Sequence, residues 1–339
     1  MTAPLAGPGV GAGRGSSWTL LLSTLAAFLL VPSTPFVQTI APIANTAVLL
    51  LPAIAVCTAL GWAKGGPWWL ALAWAALGVA SIALLPGTSQ SRAFMTLERG
   101  WAIILVASFG LVSIASSEGT PFLTRALYAV ALAWLLENIV LVAVHTPSSA
   151  ITQVVARELV NRPRVGLPLI DTASDVVRAG IARTVGQVTA ELPPLGTRLF
   201  PALLTLESVG GLALAWAVYH RIARAQIGPA LGALRDFRFN DRLVWGLLAG
   251  VIFLAVPAFA SARAFGLNLT TFFGTLYTLR GLGVVAAWLD SASIGTAAIV
   301  ALIVLGCLLT IPAGVALGVI GLSDMMFNYR THLSPARAA

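Results

Sequence analysis

The chain has 339 residues, 58% hydrophobic and 9% charged, with 20 Lys plus Arg against 12 Asp plus Glu and a formal net charge of +8. A soluble domain carries about 25% charged residues, so a soluble globule is excluded, and a mean hydropathy of +0.92 excludes disorder. A transmembrane barrel is excluded by pattern, because barrel strands alternate over roughly ten residues and the apolar runs here are unbroken over about twenty.

The class that remains is all-α: a polytopic transmembrane helical bundle. Residues 1–16 are rich in Gly, Pro and Ala and carry one charge, Arg14. Trp18 to Val31 has the length of a signal-peptide core but lacks a basic leading region, so it reads as a first span that is kept. Apolar runs of about twenty residues predict spans at 18–35, 40–62, 68–85, 101–116, 122–144, 197–220, 243–263, 266–289 and 293–321. Pro52 and Pro312 fall inside runs and predict a kink or a break.

Residues 146–195 form a polar insert. Within it Val176, Val177, Ile181, Val185, Val188 and Leu192 recur at helical spacing. Asp171 or Thr172 can cap this amphipathic helix, and Pro193 is expected to stop it. It reads as a surface helix packed on the bundle or as a lid over a cavity. The second polar stretch, 221–242, holds Arg221, Arg224, Arg235, Arg238 and Arg242 against two Asp. Short basic loops face the cytoplasm. That choice places Arg14 and Lys64 inside and the insert outside. Counting forwards would leave the tail, with Arg330 and Arg337, outside. One span of the last third is therefore expected not to cross fully, or to break at Pro312, giving eight to ten spans and a cytoplasmic tail. The organisation expected is 1–145 as N-terminal spans, 146–195 as insert, 196–331 as C-terminal membrane region and 332–339 as tail.

Three ionisable residues interrupt apolar runs: Glu137, Glu207 and Arg280. Charge at membrane depth usually faces the bundle interior, a cavity or a partner charge. Arg280 can pair with Glu207, pair with Glu137, or hold an anionic ligand; a register-fixing ion pair and snorkelling to the interface are the plainer alternatives. Tyr277 lies one turn before Arg280 on the same face. Asn268, Thr271, Thr275 and Thr278 form a different stripe, suited to helix packing. Gly281 and Gly283 could allow a kink or a close approach beside the charge. Small residues four apart, such as Gly246 and Gly250 or Gly314 and Gly318, suit close helix packing or docking of a partner. Asp324, near the end of the last span, reads as a helix-end or interface residue rather than a catalytic acid.

No GxxxxGK[ST] loop is present, so no P-loop ATP site lies on this chain. His145, His220 and His332 do not form a metal motif, and Cys57 and Cys307 read as packed apolar thiols. No cofactor and no catalytic constellation is read, so the chain is not expected to be an enzyme. The basic balance sits beside apolar spans, where it sets orientation rather than binding nucleic acid.

Four stretches of the second half carry a family likeness. They are Leu199-Phe200-Pro201-Ala202-Leu203-Leu204; the Arg221–Arg242 loop ending Phe237-Arg238-Phe239-Asn240-Asp241-Arg242-Leu243-Val244-Trp245; Gly266-Leu267-Asn268-Leu269 with Leu276 to Val285; and Gly321-Leu322-Ser323-Asp324-Met325-Met326-Phe327-Asn328-Tyr329-Arg330. Together they make residues 197–331 resemble the YybS-like family of predicted bacterial integral membrane proteins. The family's last motif has Trp-Phe-Asp-Phe-Arg where this chain has Met-Phe-Asn-Tyr-Arg, and Arg280 stands where Gln is usual. The family is distantly similar to the S components of energy-coupling-factor transporters. That likeness implies a multi-pass protein of the bacterial plasma membrane that binds a small molecule and associates with a separate ATPase module. A non-transport scaffold, holding membrane partners through the Arg-rich loop, is the alternative.

Overall fold

The computed structural model describes residues 14–85, 91–162, 175–223, 225–291 and 310–330. The expected cap at Asp171 or Thr172, Arg224, Cys307, most of the 293–321 run and the tail with His332 and Arg337 lie outside the described residues.

The elements are α1 (Arg14–Leu30), a single turn α2 (Pro35–Gln38), α3 (Ala47–Ala63), α4 (Trp68–Leu84), α5 (Arg92–Ala115), α6 (Phe122–Ala143), α7 (Ser148–Asn161), α8 (Asp175–Ile222), α9 (Val244–Ala255), α10 (Arg263–Ser291) and α11 (Thr310–Phe327). No strand occurs among the described residues. Among the described residues, four helical segments are long and apolar enough to cross a membrane: Arg92–Ala115, Phe122–Ala143, Glu191–Ile222 and Pro257–Leu289. Trp18–Leu30, Ala47–Ala63, Trp68–Leu84 and Pro312–Phe327 are apolar but shorter.

Two boundaries differ from the sequence expectation. The run expected to start at 101 begins at Arg92, where the Ser91 hydroxyl accepts from the Phe94 N–H at 3.4 Å and caps the helix. That extension draws Glu98 into the helix. The helix expected to stop at Pro193 instead continues into the next span as one element, α8. Prolines persist in such helices when other groups satisfy the backbone they free. Beside Pro201 the Asn268 amide does so: its Oδ1 accepts from the Ala202 N–H at 2.9 Å and its Nδ2 donates to the Arg198 carbonyl at 2.9 Å. Pro52 sits inside an unbroken α3, and Pro312 falls in the first turn of α11, where a missing N–H costs little.

The chain divides into two compact units. The first holds residues up to Pro193 together with Glu207–Pro229; the second holds Pro194–Leu206 and Ala230–Ala339.

In the first unit, α3 packs on α4 and α5, and α5 packs on α6. One face is tied by polar contacts. Lys64 at the end of α3 pairs with Glu118 at 2.6 Å, between α5 and α6. Arg125, in the first turn of α6, donates to the Ser117 carbonyl at 2.8 Å and to the Ile227 carbonyl at 2.9 Å. The ends of α3, α5 and α8 therefore share one face of this unit. Trp216 centres the core, 5.6 Å from the Phe122 ring and 6.0 Å from the Phe109 ring. Between helices surrounded by lipid the hydrophobic effect no longer discriminates, and close packing must supply the cohesion.

In the second unit, α10 packs against α9 and α11. Glycines set the distance. A Cβ on Gly281 would overlap the Leu317 carbonyl, and one on Gly321 would overlap the Tyr277 carbonyl. Gly281 and Gly321 thus let the α10 and α11 backbones touch, and Gly281 marks a helix crossing rather than a kink. Gly246 and Gly250 are filled by Phe273 and Thr270 in the same way.

Candidate functional site

Arg280 projects from α10 into the second unit. Its Nε donates to Asp324 Oδ2 at 3.0 Å, and its Nη1 donates to Asp241 Oδ1 at 2.6 Å. Its guanidinium carbon lies 5.6 Å from the Phe239 ring centre. Among the described residues the acids that pair with it are Asp241 and Asp324, both of its own unit, where the sequence had offered Glu207 and Glu137. The reason is local: the glycine crossing brings α11 and Asp324 against α10, and the basic loop delivers Asp241. The Asp324 side chain lies in the last turn of α11, where the sequence places it near the helix end, and is fully buried as an interior counter-ion, whereas the Asp241 side chain is 59% exposed.

Arg330 completes the arrangement. It donates to the Arg235 and Phe237 carbonyls at 2.8 and 3.0 Å and to the Arg280 carbonyl at 2.9 Å, and its Nη2 lies 3.9 Å from Asp324 Oδ2. Two guanidiniums thus face two carboxylates.

Tyr277 stands one turn before Arg280, as its spacing predicts, and is fully buried. Its ring lies 5.1 Å from Phe239, and its hydroxyl feels the charges of Arg280 and Asp241. Neither the Tyr277 hydroxyl nor Asp324 Oδ1 has a hydrogen-bond partner among the described residues. A buried polar group left so costs about 1–3 kcal/mol, more when charged. The pair amounts to unfilled hydrogen-bonding capacity beside a fixed positive charge. Asn268 also donates to the Ala264 carbonyl at 2.8 Å, so its capacity goes largely into joining α10 to α8.

The two interior glutamates belong to the first unit. Glu207 Oε2 accepts from the Ile43 N–H at 3.1 Å, and the carboxylate feels Glu98 and Arg162. Glu137 makes no ion pair among the described residues, and its Oε2 is buried without a partner. Three buried groups that the sequence did not single out are Glu98, Glu158 and Arg162, with Arg162 Nε 3.7 Å from Glu158 Oε1.

Of the basic loop, Arg235, Arg238 and Arg242 are exposed. Arg235 Nε lies 3.8 Å from Asp236, and Arg238 donates to Asn328 Oδ1 at 2.7 Å. Arg221 lies over Trp18, its guanidinium carbon 5.3 Å from the ring centre. Outside the spans, Lys64 beside Glu118 holds that exposed carboxyl below its ordinary range. No cluster of three His, Cys, Asp or Glu able to hold a metal occurs among the described residues. His220 instead bonds the Trp216 and Gly228 carbonyls, both at 2.9 Å.

Some missed residues left a trace in the sequence. Glu98 is in helical phase with Trp101, Ala102, Leu105 and Phe109, all buried on one stripe. Glu158 and Arg162 are spaced i,i+4, with Val155 and Leu159 on the same buried face of α7. Asp241, Asp324 and Arg330 stood within the quoted motifs, but nothing local announced that they would meet Arg280.

A family model described as "Predicted membrane protein (DUF2232)" matches residues 24–325. The match extends well beyond the second half, where the motifs had carried the likeness. No curated protein matches, and no solved structure matches.

Proposed function

The chain belongs to the DUF2232 family of predicted membrane proteins, and from that premise we propose that it is a solute-binding, transport-related component of the membrane whose binding chamber surrounds Arg280. One observation carries this reading: among the described residues, the buried Tyr277 hydroxyl and Asp324 Oδ1 lack partners beside an arginine already held in place. A solute presenting a donor to Asp324 and a polar group to Tyr277 would satisfy both. An anionic group on it would replace the solvent-facing Asp241 carboxylate on Arg280 Nη1, and charge-assisted contacts of that kind are the strong ones.

In this reading the chain is YybS-like, crosses the bacterial plasma membrane eight to ten times, and has its basic loop and Lys64 in the cytoplasm. The shared face of Lys64, Glu118 and Ile227 supports placing those two segments on one side. Transport would draw on a separate ATPase module, as in S components, and the chain itself would catalyse no reaction. The test is mass spectrometry of small molecules released from the purified, denatured protein. A compound near one per chain in wild type, and reduced at least about tenfold by Tyr277→Phe or Arg280→Met, is expected; a tenfold loss equals about 1.4 kcal/mol of binding. Equal recovery from wild type and both variants would overturn the proposal.

A second reading has its own support. Arg235, Arg238 and Arg242 are exposed together on the 230–243 loop, a pattern suited to anionic lipid or a partner's acidic surface. Affinity purification separates the two: a co-purifying ATPase favours transport, and envelope machinery without one favours a scaffold.

A further inference from the structure

The basic loop divides into a fixed half and a free half, and the free half lies over Arg280. We propose that residues 238–243 are the gate of the Arg280 chamber, with Phe239 and Asp241 as the two side chains that close it. The gate rests on the solute-binding reading and adds the side from which the solute enters.

The fixed half is residues 234–237. Its single turn, Leu234–Asp236, packs on α10. Gly283 allows the approach, since a Cβ there would stand 2.5 Å from the Leu234 carbonyl oxygen. Arg330 then bolts the segment down. It donates to the Arg235 and Phe237 carbonyls at 2.8 and 3.0 Å and, on α10, to the Arg280 carbonyl at 2.9 Å. Beyond residue 243 the chain is fixed again by α9, where the Phe273 ring of α10 fills the space beside Gly246.

Between those anchors, the 238–243 segment is held mainly by what it covers. Asp241 Oδ1 accepts from Arg280 Nη1 at 2.6 Å. The Phe239 ring lies edge-on to Tyr277 at 5.1 Å and 5.6 Å from the Arg280 guanidinium carbon. Its further bond to α11's end, from Arg238 to Asn328 Oδ1 at 2.7 Å, is exposed. Inside the segment, Asn240 Oδ1 accepts from the Arg242 N–H and the Asn240 carbonyl from the Leu243 N–H, both at 3.0 Å, so it can swing as one piece. Lids are commonly short segments of this kind, with a few residues at each end absorbing the motion.

Swinging Phe239 and Asp241 away bares Arg280 Nη1 and one side of Tyr277, while Arg280 Nε stays on the buried Asp324 at 3.0 Å. The chamber therefore opens without losing the group that would hold the solute. A solute anion competes with Asp241 for Nη1, so its binding shifts the gate's equilibrium toward open.

The test is arginine labelling of the dialysed full chain in lipid nanodiscs with p-hydroxyphenylglyoxal, read site by site by peptide mass spectrometry. In wild type the exposed Arg242 should label readily and Arg280, whose side chain is 5% exposed, slowly. An exposed ion pair, a cation–π contact and an edge-to-face ring pair each shift a population a few-fold, so Phe239→Ala with Asp241→Asn should speed Arg280 labelling at least about tenfold. Arg330 and Arg125 should stay unlabelled, which shows the fixed half and the first unit intact. Arg280 labelling as fast as Arg242 in wild type, no acceleration in the double variant, or Arg330 released together with Arg280 would each overturn the gate. Hydrogen exchange on wild type needs no variant: residues 238–243 should exchange ahead of residues 234–237, and equal exchange overturns the division. No solute is added, so failure here is distinct from failure of the co-purification test. A chain carrying no small molecule can still show the gate, and one carrying a compound lost in Tyr277→Phe can still lack it.

Discussion

The counter-ion assignment at Arg280 can be tested by comparing its two acids. Both pair with the same guanidinium, at 3.0 Å for Asp324 and 2.6 Å for Asp241, so distance alone ranks Asp241 first. Burial reverses the order. The Asp324 side chain is fully buried and the Asp241 side chain is 59% exposed. Removing one partner of a buried pair costs about 3–5 kcal/mol because it strands the other charge, whereas an exposed pair is worth about 0–1 kcal/mol. Asp324→Asn strands Arg280 and takes away the carboxylate 3.9 Å from Arg330 as well. Because Asp324 Oδ1 is itself unsatisfied, the loss belongs at the lower end, about 3 kcal/mol. Asp241→Asn should cost about 1 kcal/mol or less. Equilibrium unfolding of the purified protein in mixed micelles with increasing SDS reads both. Equal losses from the two variants, or a loss below about 1 kcal/mol for Asp324→Asn, would refute the reasoning.

Three further outcomes follow from packing and charge. Gly281→Ala drives a methyl into the Leu317 carbonyl and should destabilise by about 1–3 kcal/mol, while Gly274→Ala, with nothing within 4 Å, should be neutral or slightly stabilising in the same unfolding assay. Trp101→Phe leaves the buried Ser208 hydroxyl without its donor and should cost about 1–3 kcal/mol, read as a lowered unfolding midpoint. Glu118, depressed by Lys64, contributes stability that is present above its unfolded value and is lost as pH falls through the folded one; a carbon-13 titration of Glu118 should show the depression, and Lys64→Ala or high salt should abolish it.

The apolar runs made the helical membrane class legible, since a run of that length has few other fates in water or lipid. They were less able to give helix ends. The apolar run alone gives 101–116, because charge lowers hydropathy before it, yet the Ser91 cap carries α5 back through Glu98 to Arg92. Pro193 was read as a stop from local rules, but the helix continues through it within an apolar bundle. Tyr277 and Arg280 sharing a face follows from helical spacing alone. The identity of Arg280's counter-ions was not legible: Asp241 arrives on a loop and Asp324 from 44 positions away. What joins them is the contact of Gly281 with the α11 backbone, and small-residue spacings are too common in so Ala- and Gly-rich a chain to single it out. Glu158 and Arg162 were hidden for another reason, lying in a stretch that read as surface and yet closes over the first unit's core.

The most direct measurement is a density map of the purified wild-type protein, without added solute, at a resolution that shows side chains around Arg280. The account predicts non-protein density within hydrogen-bonding distance of the Tyr277 hydroxyl and Asp324 Oδ1, with both guanidinium contacts of Arg280 nearby. A chamber in which those two oxygens bond protein atoms and no added density lies beside Arg280 would contradict it.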